Sequence, residues 1–469
     1  MQKLGWILGL ALGVAGGPAL AAGADGSWTQ CPLPARLTAD PAGRTFYVAP
    51  WGTNPGSCPT SAGYTFQTID AAVRCAKGKD TFYVRAGTYG PFSISNFWPS
   101  DRVLVTNYPG ENPTIDGWNS VGDYQAIVWL WNVSNLAFQG LTIQNTGVTD
   151  AEHGGYGVKI DYATYVKLYF NTIRNTARHG IVMDGHQHEV VGNEISQTVL
   201  RNQWKSSTWW DGGFASATYR QQWGLKFIAN SVHDSWGECV DILQLSGATV
   251  QGNKIYNCYS VNLYVSNSQS VTVDRNYVFA STDSYNKPGV STRALGIAIA
   301  NEGSAGGWSA ANVMVTSNIV ERLSQAVRYW RSHSGGSIWD GYANLYVGFN
   351  TFAHLQTWPI RFDAPDGNPG GWNRLRQNIV LNDGGWAWYS NDDTNNWEVA
   401  KNWQYSSGTT ATSPGLDYNP GGWAGAYTLL DSSALRWIVP PSSEWDEPAV
   451  DYNCVSRNPS DWGAAGAAL

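Results

Sequence analysis

Charged side chains are scarce in this 469-residue chain, at 14% against about a quarter in an ordinary soluble domain. The charge that exists is weakly acidic, net −7, which excludes a nucleic-acid partner held by a general basic surface. Beyond residue 22 no stretch approaches the ~20 unbroken apolar residues of a membrane helix, so no membrane span is expected. Cysteine is limited to 6 residues with no paired CxxC spacing, and that leaves no structural zinc motif.

What is abundant points to β structure. The chain holds 52 Gly and many Ser, Thr and Asn, a turn-rich composition. It also holds 25 Trp, whose flat apolar face with one N–H suits sugar stacking as well as core filling. The first 22 residues, MQKLGWILGLALGVAGGPALAA, read as a secretory signal peptide, with an early Lys, an apolar run and a small-residue end. Secretion or a periplasmic address follows, and residues 23–44 read as a leader segment. An oxidising compartment would keep disulfides. Cys58 with Cys75 brackets a loop and helix, Cys239 with Cys258 is a second pair, and Cys31 with Cys454 would tie a returning tail to the start.

The organising signal is a repeat. An Asn followed two places later by an apolar residue recurs at Asn171, Asn193, Asn230, Asn253, Asn276, Asn318, Asn350 and Asn378, and fades at Asn402. The intervals are 22, 37, 23, 23, 42, 32, 28 and 24 residues. A floor near 22–24 with longer intervals is a bare unit with inserted loops, the mark of a solenoid. Each unit holds three short strands, which cannot form a core alone but bury one when stacked. Asn is a poor strand former, so its place is a corner. There it can take the left-handed conformation and bond its amide to the Asn above and below.

This pattern, with FYVAPWGTNPG from Phe46 and FQTIDAAVRCAKGKDTFYVRAGTY from Phe66, resembles the pectate-lyase-like right-handed parallel β-helix superfamily. The resemblance covers about 45–405. It implies an all-β, single-stranded right-handed parallel β-helix, with Thr68–Ala76 as an N-terminal capping helix and residues 80–90 as the first coil. Residues 406–469 do not match and are expected to form a tail packed on the solenoid. A monomer is expected. The superfamily includes lyases, glycosidases, epimerases, esterases and non-catalytic proteins, so the fold does not choose the reaction.

Alternation then locates a face. With aliphatic residues inward on the strand that precedes each Asn, the outward positions are Lys159 and Asp161, Val182 and Asp184, Asp241 and Leu243, and Asn262 and Tyr264. They continue as Ala298 and Ala300, Arg328 and Trp330, and Arg361 and Asp363. Carboxylates lie at one end of this face and Arg with Trp at the other. A one-residue error would flip every position, and an ordinary polar sheet surface is the plain alternative. Inserted loops add Trp204, Trp209 and Trp210 in one place and Tyr285, Arg293, Glu302 and Trp308 in others. Aromatic loops beside a carboxylate strand suit a carbohydrate chain, although these rings also serve to pack loops down.

Three functions remain open. A polysaccharide lyase on a uronate glycan is the leading expectation, with Lys159, Arg328 or Tyr264 as base and Ca²⁺ held among Asp161, Asp184, Glu238 and Asp241. The stretch GECVD at 237–241 loosely resembles acidic segments of calcium-dependent lyases, but Gln244 stands where a Lys is expected. An inverting glycosidase would instead pair Asp184 with Asp241, two coils apart, near the ~6.5–9.5 Å that chemistry needs. A non-catalytic carbohydrate-binding protein is the third. In each case Trp330, Arg361, Tyr264, Trp209 and Trp210 are the expected sugar contacts. His179, His186, His188 and His233 fall on the same coils, where a lone His is more often structural.

Overall fold

A computed structural model describes residues 34–148, 153–205, 211–216, 220–288, 292–302, 309–332, 342–362, 371–381, 388–390, 397–400, 402–405, 416–417 and 428–429. From Thr45–Val48 to Trp403–Tyr405 every strand pairs in parallel with the strand of the next coil. Two strand rows merge into one 24-stranded sheet because some strands, such as Ile181–Val191, run through both. The third row is a separate 12-stranded parallel sheet. Of the expected tail only an antiparallel pair, Leu416–Asp417 with Thr428–Leu429, is described.

Inward columns make the core. One reads Ile181, Phe214, Val240, Leu263, Ile297, Val327 and Ile360, each stacked on the next and each at most 1% exposed. A buried side chain of this kind contributes about 1.5–3 kcal/mol. The repeat thus supplies, coil after coil, what no coil could hold alone.

The asparagine ladder runs through nine rungs. Each Nδ2 donates to the Oδ1 of the next, from Asn171–Asn193 (3.0 Å) through Asn253–Asn276 (2.8 Å) to Asn378–Asn402 (2.8 Å). Asn402, where the sequence signal fades, is still a rung. The left-handed residue is not the Asn, however. It is the residue before, as in Phe170, Ala229, Arg275, Ser317, Phe349 and Gln377, with φ between 51° and 60°. Asn is required for its amide, which also donates to a backbone carbonyl of the preceding coil, as Asn253 does to Phe227 (2.9 Å).

An α-helix, Ile69–Arg74, follows the first strands, with the Thr68 hydroxyl accepting from the Ala71 amide as N-cap. Its Ile69, Ala72 and Val73 join the core of the first coils. The Cys58–Cys75 and Cys239–Cys258 disulfides both form. Cys31 and Cys454 lie outside the described residues.

Candidate functional site

The outward column on the trough face reads Lys159, Val182, Ala215, Asp241, Tyr264, Ala298, Arg328 and Arg361. Two residues further on lie Leu243, Ser266, Ala300 and Trp330. Among the described residues the expected outward pairs hold except in Val261–Ser266, where Tyr264 and Ser266, not Asn262 and Tyr264, form the outward pair; Asp363 lies outside the described residues. Asn262 turns into the corner and donates to the Leu295 carbonyl (2.8 Å). Ala298 and Ala300 are short, so the rings of Tyr264 and Trp330, two coils apart, stack across them with centroids 5.1 Å apart. The result is a trough with an aromatic floor, in which Leu243 and Leu295 also pack.

At one end of the trough stands a pair of buried carboxyls. The adjacent Cys239 and Val240 both face the core, which breaks alternation at the corner. Glu238 and Asp241, three residues apart, therefore emerge on the same outer side and interact with one another. Asp241 is 1% exposed, and neither of its oxygens has a hydrogen-bond partner of good geometry. A buried carboxyl left in this state asks for an explanation. Burial pushes Glu238 up to about 8, with the Glu302 charge adding to the rise and Lys287 opposing it. Burial and then the charge of Glu238 hold Asp241 well above the usual carboxylate range. The pair thus keeps a proton at neutral pH. Beside it, burial likewise keeps the Tyr264 hydroxyl protonated.

At the other end lies a pocket of about 610 Å³ lined by Lys287, Arg293, Arg328 and Arg361, with Tyr259 and Trp358 as its rings. Arg293 is held by Asp283 (2.6 Å), and Trp330 Nε1 donates to Glu302 (3.2 Å) at the trough edge. Three inter-strand steps, about 14 Å, separate the Asp241 and Arg328 backbones. A proton-bearing pair and a cationic pocket therefore share one outward strand face.

The other expected residues do not join them. Lys159 is six steps, about 29 Å, from Arg328, and it pairs with Asp161 (3.6 Å) over the Trp129 ring. Asp161 also accepts from Trp129 Nε1 (2.7 Å). Asp184 is bound by Arg220 (2.9 Å), and burial raises its pKa in spite of that cation. It sits two steps along and two residues across from Asp241, about 12 Å between backbones. The partner of Asp241 is Glu238, not Asp184. The four carboxylates expected around Ca²⁺ separate into two pairs, and among the described residues no three His, Cys, Asp or Glu converge as a cation site. That donor set does not fit a cation needing about 6–8 oxygens. Trp209 and Trp210 lie outside the described residues.

Sequence reasoning passed over the base of the insertion. Asp211 is bound by Arg201, by His179 Nε2 (3.2 Å) and at longer range by Arg178 (3.8 Å). His179 and these arginines hold its carboxyl below the ordinary value although it is buried. Next to it, a Cβ on Gly212 would come within 2.4 Å of Asp241 Oδ2. The signal was present as DGG at 211–213, a doubled Gly opening a strand.

Comparison with known proteins agrees on architecture. Residues 205–352 match the family model described as "Right handed beta helix region". No curated protein matches in sequence. Among solved structures, pectate lyase Pel9A superposes with a TM-score of 0.51 at 14% identity, covering 90% of this chain and 96% of that one. The polygalacturonase from Erwinia carotovora ssp. carotovora gives 0.47 at 11%, covering 79% and 98%. PfbA, a surface adhesin of Streptococcus pneumoniae, gives 0.47 at 11%, covering 72% and 86%. Likeness at such identity speaks for the fold. The chain has a right-handed parallel β-helix fold.

Proposed function

We propose that this is an exported, monomeric carbohydrate-active enzyme that binds an acidic polysaccharide along the trough and hydrolyses a glycosidic bond. The observation that carries the reading is the proton-holding Glu238–Asp241 pair at one end of a trough whose other end is lined by four cations. The carboxyl of the pair that keeps its proton can donate to the leaving glycosidic oxygen, and the other, once it ionises as pH rises toward about 8, can steer a water toward the anomeric carbon. Arg328 and Arg361 would hold substrate carboxylates through charge-assisted hydrogen bonds. Tyr264 and Trp330 offer ring faces to the sugars between. The two disulfides and the N-terminal segment support export, and the helix Ile69–Arg74 is suited to close the first coil.

A second reading, lyase action, is favoured by the cationic pocket itself, since neutralising a uronate carboxylate acidifies the adjacent C–H. Incubation with uronate and neutral polysaccharides decides. New reducing ends without new ultraviolet absorbance, unaffected by EDTA, are expected for hydrolysis. An absorbing double bond, lost with EDTA and restored by Ca²⁺, would replace hydrolysis by elimination. Tight binding with neither product would make the protein a lectin-like binder.

A further inference from the structure

Around the corner from the trough, on the second strand row, a hollow of about 470 Å³ lies between two exposed rings, Tyr165 and Trp223, 52% and 51% accessible. Gln187, Lys167, Glu189 and Lys226 are among its polar lining. His186 stacks on Trp223 at 11° between planes, so the ring is propped on one side and open on the other. Glu189 is shared by Lys167 (2.9 Å) and the more exposed Lys226 (3.4 Å), leaving one net positive charge at the rim.

The backbone shapes this hollow. Register places Asn135, Tyr165, Gln187, Gly224, Gly247, Ser270, Asn312 and Asn344 in one corner column, and all eight are left-handed. Asn and Gly suit that conformation, and a ring-bearing residue does not. Five of the eight positions follow the rule. Tyr165 departs from it to form a wall, and Gln187 departs from it to lie across the floor, where a Cβ on Gly224 would strike its amide at 2.6 Å. The next two coils place Gly224 and Gly247 in the column, which is what leaves the hollow open.

We infer that this hollow is a second saccharide-binding site, distinct from the trough, which holds a distal stretch of the same acidic polysaccharide. A sugar ring presents an apolar C–H face edged by hydroxyls and, in an acidic chain, a carboxylate. Those match, in turn, the open faces of Trp223 and Tyr165, the amide of Gln187, and Lys226 at the rim. The inference rests on the carbohydrate reading above but not on cleavage.

The test borrows residues from neighbouring coils so that the variants fold. Tyr165→Asn restores the corner rule, and Trp223→Ser copies Ser246, its register partner. Affinity electrophoresis would use polygalacturonate, alginate and xylan, with circular dichroism and Tm on the same samples. Loss of two stacking faces is expected to weaken retardation roughly tenfold or more in the double variant, with Tm unchanged or higher. Equal retardation of wild type and folded double variant, or no retardation of wild type by any of the three polymers, overturns the site. Wild type that is retarded in a ring-dependent way but never cleaves keeps this site and sinks the proposed hydrolysis. Cleavage with ring-independent retardation does the reverse.

Discussion

Asp241 sets its Oδ2 over Gly212, so close that a Cβ there would stand 2.4 Å away. A carboxyl that burial holds above its usual range is thus seated on the one residue type that leaves room for it. Gly212→Ala is expected to push Asp241 aside and lower turnover about tenfold or more, while the overpacking costs about 1–3 kcal/mol of stability. Turnover near wild type on the preferred polymer would mean that this carboxyl position does not matter.

The Glu238–Asp241 pair makes a pH prediction with a definite sign. Unfolded, both carboxyls titrate near ~4, whereas folded Glu238 titrates near 8. The folded state therefore holds more protons in between. Its stability is full below the unfolded value and is lost as pH rises through about 8. Tm should fall between these limits, and the Glu238→Gln, Asp241→Asn double variant should flatten that slope while abolishing turnover. His233, raised to about 9 by Asp234 and Glu194 against the effect of burial, adds a slope of the same sign, but it is present in both proteins and cancels in the comparison. Parallel Tm–pH curves would show that the pair is not protonated.

The arginines at the far end test the substrate class. Arg328→Gln with Arg361→Gln should weaken binding of acidic polymers by tenfold or more and make what remains less sensitive to salt. Neutral polymers should be unaffected. Unchanged affinity for every acidic polymer would move the trough elsewhere.

In the ladder, Asn253 accepts from the Asn230 amides (2.8 and 3.1 Å) and donates to Phe227 and Asn276 (2.9 and 2.8 Å) with no exposure at all. Asn253→Ala leaves those partners buried and unsatisfied, and a loss of about 1–3 kcal/mol is expected in denaturant unfolding. A neutral substitution would show that shape alone holds the corner.

The solenoid was readable because one physical requirement, a stacked amide, repeats in every coil. The left-handed residue was assigned to the Asn because Asn tolerates that backbone, yet Phe170 and Ala229 take it next door. The inward aliphatic residues marked the register wherever alternation was intact, and Arg328, Arg361 and Trp330 fell where expected. Alternation failed at the corners. Cys239 and Val240 both turn inward, so spacing by twos does not reach Glu238 and leaves Asp184 as the apparent acid/base partner of Asp241. Lys159 and Arg328 share a column, but a column says nothing about distance along it. Lys287 and Asp211 come from inserted segments, whose path no strand pattern predicts.

The rungs of the ladder are 22 to 42 residues apart along the chain and one strand spacing apart in space. Each rung touches only those directly above and below, so the scaffold counts turns and ignores the length of chain spent between them. Inserted segments that lie outside the strands can therefore lengthen, shorten or be exchanged while the ladder keeps its register. Substrate range in such a protein can drift by loop replacement while the frame stays in register, and grafting a loop between two rungs is a rational route to altering it.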